Sequence, residues 1–318
     1  MEMLDLKDKR ILVTGGAGFL GKQVVAQLCK AGTDPQKITT PRSRNCDLRN
    51  WTDCQQAASH QDVVIHLAAH VGGIGLNRQK PAELFYDNLM MGAQLIHAAY
   101  AAGVQKFVCV GTICAYPKFT QVPFKEDNLW QGYPEETNAP YGIAKKALLV
   151  QLQAYRQQYG FDGVYLLPVN LYGPEDNFDP SSSHVIPALI RKIYEAKQTG
   201  KKQLQVWGDG SPTREFLYSE DAARGIVMAT QRYSAPDPVN LGAHYEISIR
   251  DLVGLICELM EFEGEIIWQT DMPNGQPRRC LDTQRAKQAF GFSAQMEFKQ
   301  GLKNTIDWYR CHAAPVAV

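Results

Sequence analysis

An apolar, β-forming run at Ile11-Leu12-Val13 passes directly into Thr14-Gly15-Gly16-Ala17-Gly18-Phe19-Leu20-Gly21 and then into a helical pattern from Lys22 to Lys30. Strand, glycine-rich turn and helix in that order make a phosphate-binding unit. Glycines 15, 18 and 21 allow a tight turn, close approach of the backbone to a pyrophosphate and close packing of helix on sheet, while the helix start offers unpaired N–H groups. The spacing is GxxGxxG, distinct from the commoner GxGxxG. A chain that opens this way is expected to continue as an α/β fold with helices on both faces of a parallel sheet.

The rest of the chain agrees. Val63-Val64-Ile65, Phe107 to Val110 and Val164 to Leu167 read as further buried strands, and helical spacing recurs at Leu89 to Ala99 and Lys145 to Tyr159. Right-handed crossovers between such strands build a Rossmann-type, doubly wound parallel sheet. Past Tyr172 the texture changes: Gly, Pro, Asn, Asp and Ser cluster at 173–183 and again at 208–212, with helices expected at 185–197, 219–231, 249–262 and 300–309. The 318 residues therefore divide into a cofactor domain (1–171 and about 214–243) and a smaller, discontinuous substrate domain (about 172–213 and 244–318).

Composition excludes several classes of function. Thirty-three basic and thirty-three acidic residues cancel without forming blocks, which disfavours a nucleic-acid or membrane-surface partner. The first ten residues are charged, and no run approaches the roughly 20 apolar residues that span a bilayer. A cytoplasmic protein is expected. Cys29, Cys46, Cys54, Cys109, Cys114, Cys257, Cys280 and Cys311 show neither CxxC nor Cys/His ligand spacing, so they read as reduced thiols with no metal site.

Two further features carry chemistry. The second strand, around Lys37 to Thr40, ends in Pro41-Arg42-Ser43-Arg44 with no acidic residue to take ribose hydroxyls; Arg42 and Arg44 are suited to a 2′-phosphate, so NADP is the expected cofactor. Tyr141 and Lys145, four apart on a helix, face the same way, and an ammonium beside a phenol favours its anion and lowers its pKa. The strand at 107–110 ends in Gly111-Thr112, whose hydroxyl can orient a carbonyl oxygen. With the glycine turn, these residues resemble the extended short-chain dehydrogenase/reductase superfamily.

Longer stretches narrow the resemblance: HVGGIGLN (70–77), GTICAYPK (111–118), PEETNAPYGIAKK (134–146), NLYGPEDNFDPSSSHVIPALIRK (170–192), VWGDGSPTREFLYSEDAA (206–223) and NGQPRRCLD (274–282). The chain resembles the GDP-L-fucose synthase family along nearly its whole length. That resemblance implies epimerisation of GDP-4-keto-6-deoxy-D-mannose at carbons 3 and 5, followed by NADPH-dependent reduction at carbon 4. Thr112, Tyr141 and Lys145 then take the reductase roles, and Cys114 and His184 the epimerisation roles, without deciding which removes the proton. A thiol and an imidazole titrate near enough to neutrality for that work.

The same resemblance implies cofactor contacts from Gly15, Gly18, Phe19, Leu20, Gly21, Arg42, Arg44, Asp47, Leu48, Ala68, Ala69, Tyr141 and Lys145. It places Asn170 near the sugar, and Lys192, Trp207, Arg214, Asn274 and Arg279 around the nucleotide, with a homodimer as the assembly. Thr112 stands where the family commonly has Ser, Lys192 where an Arg is usual, and Asn274 and Arg279 where Asp and Lys are common. The alternatives are a related GDP-sugar epimerase/reductase, for example on a GDP-deoxyheptose, or a non-catalytic NADP-binding regulator. Taken outside the resemblance, His184 would be a loop residue beside a helix start capped by Ser182 or Ser183.

Overall fold

Ile11–Thr14 (β1), Val63–His66 (β3), Lys106–Val110 (β4) and Gly163–Pro168 (β5) are buried at every position, so both faces of their sheet must be covered, and their sequences are correspondingly continuous in apolar residues. The computed structural model describes residues 3–272 and 275–313. In chain order the first half also contains α1 (Phe19–Lys30), β2 (Ile38–Thr39), α2 (Trp51–Ala58), α3 (Ile74–Gln79), α4 (Pro81–Ala101) and α5 (Ala139–Tyr159). After β5 come β6 (Asn170–Tyr172), α6 (Val185–Gln198), β7 (Gln203–Trp207), β8 (Thr213–Tyr218), α7 (Ser219–Arg232), β9 (Val239–Leu241), β10 (Glu246–Ser248), α8 (Ile249–Met260), β11 (Glu265–Gln269), α9 (Gln284–Phe290) and α10 (Phe298–His312).

The main sheet has the order β2-β1-β3-β4-β5-β9, parallel throughout. The chain leaves β1 toward β2 and returns to the other side of β1 as β3, so the crevice beyond the carboxyl ends of β1 and β3 is the switch point at which such sheets bind ligands. A smaller sheet, β10-β8-β6, and a parallel pair, β11-β7, lie in the second half.

Buried apolar side chains form two cores. One surrounds the main sheet; the other gathers Tyr172, Ile190, Val206, Phe216, Leu252, Ile256 and Leu302 from β6, α6, β7, β8, α8 and α10. The expected division of the chain needs one correction. Leu281, Ala286, Phe290 and Phe292 pack in the first core, so residues 244–318 are shared between the cores because α9 lies against α7 and β9.

β8 joins the two by strand alternation: Phe216 and Tyr218 point into the second core and Leu217 into the first. Its Glu215, fully buried, accepts the N–H groups of Ala243 (2.5 Å), His244 (2.8 Å) and Leu281 (2.6 Å), tying three segments at the joint.

Candidate active site

A single cleft of about 1230 Å³ runs from the glycine turn to the second core. That exceeds the usual volume for one small ligand and suits a dinucleotide together with a nucleotide sugar. At its first end, Gly15 has φ +71° and a Cβ there would stand 3.0 Å from the Ala68 nitrogen. At Gly21 a Cβ would run into the carbonyl oxygen of Gly15. Neither position accepts a side chain.

Gly18 differs: its φ is −85°, and the nearest protein atom to a Cβ would be 3.2 Å away. It begins α1 with no side-chain cap and no acidic residue in the first turn, so the open helix start is available to an anion. These residues fit a bound dinucleotide.

Beneath them lies a pair that the sequence reading missed. The Ala68 N–H donates to Thr14 Oγ1 (3.3 Å), and Thr14 Oγ1 lies 2.8 Å from His66 Nδ1. Which of the two donates follows the imidazole tautomer, since the hydroxyl can accept from the Ala68 N–H with either arrangement. Burial, aided by the Lys145 charge, pushes the His66 pKa well below its ordinary value. The pair fixes the turn carrying Ala68 and Ala69 on the cleft wall. Its only sequence signal is two polar residues inside apolar strands.

Phe19, Leu20, Asp47 and Leu48 also line this end. Arg49 holds Asp47 (2.8 Å) and Asp87 (3.0 Å), and His70 Nδ1 meets the other Asp87 oxygen at 2.9 Å. Arg42 is exposed on the cleft wall, whereas Arg44 lies off it. Of the expected pair, Arg42 alone is on the cleft wall.

Thr112 follows β4, and its Oγ1 accepts the Cys114 N–H at 3.1 Å. Gly142 lets the start of α5 lie directly on this turn, since a Cβ there would strike the Cys114 carbonyl oxygen. Tyr141 is thereby brought beside Thr112 and Cys114. The expectation that Lys145 depresses the phenol is overturned: burial raises the Tyr141 pKa well above its ordinary value, Cys114 adds to the rise, and hydrogen bonding with Thr112 opposes it. Lys145 is itself buried, which lowers its pKa, and its carbonyl accepts the Tyr165 hydroxyl at 2.8 Å.

Cys114 is half-buried on the cleft wall. His184, not Ser182 or Ser183, takes the N-cap position of α6, and no side chain caps the helix. Its ring opens to the cleft although protein surrounds it on most sides; that enclosure and then the Arg279 charge hold its pKa below the ordinary 6.5. Arg279 lines the cleft that also holds Trp207 and Arg214. It is buried beside Cys114, with Nη1 3.6 Å from Cys114 Sγ and Nε donating to Gln276 Oε1 at 2.9 Å.

The remaining expected contacts line the same cleft. Asn170 donates to the Glu215 carbonyl (3.1 Å), Lys192 to the Gln205 carbonyl (3.2 Å) and Arg214 to the Thr213 carbonyl (2.7 Å), while Trp207 stands half-exposed at the end of β7. Asn274 lies outside the described residues. Asp176, which the sequence reading passed over, is buried in the wall and its pKa is pushed up to about 7. Among the described residues, no group of three or more His, Cys, Asp or Glu side chains is disposed to hold a metal.

Residues 11–242 match the NAD dependent epimerase/dehydratase family. The chain is 39% identical to GDP-L-fucose synthase 1 of Arabidopsis thaliana over 97% of its own length and 96% of that protein. Among solved structures, a GDP-6-OMe-4-keto-L-xylo-heptose reductase from C. jejuni superimposes with a TM-score of 0.89 at 26% identity, covering 96% of this chain and 98% of that one. A GDP-L-fucose synthetase from Naegleria fowleri bound to NADP gives 0.86 at 28% identity, covering 98% and 96%. The chain belongs to the NAD dependent epimerase/dehydratase family, within the extended short-chain dehydrogenase/reductase superfamily.

Proposed function

We propose that the protein converts GDP-4-keto-6-deoxy-D-mannose to GDP-L-fucose, inverting carbons 3 and 5 and then reducing carbon 4 with NADPH. The observation that carries this reading is the lining of one cleft by two kinds of machinery: Cys114 and His184, able to move protons, and Thr112, Tyr141 and Lys145, suited to a carbonyl reduction. The relatives named as GDP-L-fucose synthases support it.

In this reading the α1 start and the glycine turn hold the cofactor pyrophosphate, Arg42 the 2′-phosphate and Lys145 the nicotinamide ribose. NADPH supplies a hydride to carbon 4. Thr112 orients the carbonyl oxygen, and Tyr141, kept protonated by its burial, donates the proton that completes the alcohol. Before reduction, the ketone at carbon 4 acidifies the protons on carbons 3 and 5. Of Cys114 and His184, one removes a proton and the other returns one on the opposite face, so each inversion leaves the oxidation state unchanged. Lys192 and Arg214 offer positive charge to the diphosphate and Trp207 a face to the guanine.

Among the described residues no helix is long and apolar enough to cross a membrane; a cytoplasmic location would supply NADPH and keep the thiols reduced. The exposed Phe85 and Tyr86 on α4 and Val150 and Tyr159 on α5 favour a homodimer, which light scattering tests.

The decisive experiment incubates the protein with NADPH and GDP-4-keto-6-deoxy-D-mannose and identifies the product by NMR, with a GDP-linked 4-keto-deoxyheptose as competing substrate. GDP-L-fucose formed in preference to the heptose product is the expected result. Preference for the heptose shifts the reading toward the C. jejuni type of reductase, and NADPH binding without turnover of either makes the protein a regulator.

A further inference from the structure

The loop His70 to Gly73, which leads into α3, reaches across the cleft to the backbone before His184. The Gly73 N–H donates to the Ser182 carbonyl at 3.0 Å. A Cβ on Gly73 would stand 2.6 Å from the Ser183 carbonyl oxygen, and one on Gly72 3.1 Å from that of Ser182. Gly73 has an ordinary φ of −66°. Proximity, not backbone conformation, therefore calls for glycine there.

Both sides of the contact are held from behind. Asn77, buried, donates to the carbonyls of Gly72 (2.9 Å) and Gly73 (3.1 Å), and Asn88 grips His70 through its carbonyl (2.8 Å) and its N–H (3.1 Å). Across the cleft, the Ser182 and Ser183 N–H groups donate to the Asp179 carbonyl at 3.2 and 2.8 Å, and Arg191 Nη1 donates to the Phe178 carbonyl at 3.1 Å. His184 is the next residue, and its carbonyl accepts the first hydrogen bond of α6, from Ala188 at 3.0 Å. The imidazole thus stands on a stretch of backbone clamped between its own turn, its helix and the opposing loop.

We propose that Gly73 is a positioning residue for epimerisation: its backbone contact with Ser182 and Ser183 sets where the His184 imidazole stands relative to Cys114. This rests on the activity proposed above. A methyl at Gly73 has to displace the carbonyl of the residue preceding His184, and a shift near 1 Å at a reacting group costs roughly 100-fold in rate.

The test uses protein saturated with NADP⁺, which fills the cofactor site without permitting reduction, and follows deuterium uptake from D₂O at carbons 3 and 5 of GDP-4-keto-6-deoxy-D-mannose. Gly73→Ala should slow exchange at saturating substrate by about 10- to 100-fold, with KM, NADPH affinity and unfolding temperature close to wild type. Gly75→Ala in the first turn of α3, where a Cβ meets nothing within 4 Å, should exchange normally.

The discriminating measurement repeats Gly73→Ala in a His184→Asn background. A residue that acts through the imidazole should cost less than about twofold there, whereas one that merely supports the fold costs the same in both backgrounds. Equal losses, or wild-type exchange by Gly73→Ala, overturn the inference. Should Gly73→Ala fail to fold, Asn77→Ala frees the Gly72 and Gly73 carbonyls without adding atoms, and the same dependence on His184 is required of it. Wild-type protein that takes up no deuterium refutes the proposed activity and this inference with it; wild-type exchange alongside an indifferent Gly73→Ala refutes the inference alone.

Discussion

Arg42 on the cleft wall and Arg44 off it make cofactor choice a one-residue question. NADPH differs from NADH only by the 2′-phosphate, so Arg42→Ala should weaken NADPH and leave NADH within about twofold. A guanidinium on a phosphate makes a charge-assisted hydrogen bond of roughly 1.5–3 kcal/mol. Arg42 is exposed, so solvent and counter-ions reduce that to about 1–1.5 kcal/mol, which at 1.4 kcal/mol per decade is a five- to tenfold rise in the NADPH dissociation constant. Fluorescence titration of the nicotinamide reads it directly. In roughly 1 M salt, where charges are screened within about 3 Å, the NADPH advantage should shrink toward nothing. Arg44→Ala should change neither cofactor by more than about twofold. Equal losses of NADPH and NADH in Arg42→Ala, or a larger effect from Arg44, would refute the reasoning.

Tyr141→Phe should lower NADPH oxidation with the true substrate by roughly 100-fold or more while NADPH still binds. Because burial raises the pKa of this phenol, it remains the protonated donor as pH rises, and reduction should show no alkaline fall below about pH 10, its ordinary value; a fall near pH 8 that disappears in Tyr141→Phe would show the phenol titrating there and refute its raised pKa. Cys114→Ser and His184→Asn should lose deuterium exchange at carbons 3 and 5 far more than NADPH affinity. With the His184 pKa lowered, its imidazole is neutral above 6.5 and gains its proton only below that value, so any acid limb it contributes to exchange lies under pH 6.5 and vanishes in His184→Asn. Glu215→Gln turns an acceptor of three backbone N–H groups into one that faces a donor with a donor; about 2–4 kcal/mol should be lost, with the unfolding temperature falling by roughly 5 °C or more in a calorimetric scan.

The strands readable in advance were those buried on both faces, where the pattern is an unbroken apolar run. β2 (Ile38–Thr39) falls inside the strand expected at 37–40 although it is only two residues long, whereas β9, at three residues, is too short for any period to show and is defined by the edge of β5 that it covers. α9 was missed because Gln284–Phe290 buries only Ala286 and Phe290, too little for a helical stripe. Within the site, Gly15 and Gly21 were legible since the turn that demands them is local. Gly73 and Gly142 were not, because their neighbours are Ser183 and Cys114, distant in sequence. Likewise the Tyr141–Lys145 spacing identified a pair of partners but carried no information on burial, which governs the phenol.

The order β5-β9 at the end of the main sheet has a consequence during synthesis. β5 ends at Pro168 and its outer neighbour begins at Val239, roughly 70 residues later; at about 5–20 residues per second a ribosome needs some 4–14 s to deliver it. For that interval Gly163–Pro168, apolar and destined for complete burial, presents an open edge on a nascent chain. Such edges template pairing with other chains. The newborn polypeptide is therefore most exposed to aggregation in one definable window, between emergence of β5 and arrival of β9, and a trailing-strand truncation ending near residue 235 would hold it there permanently.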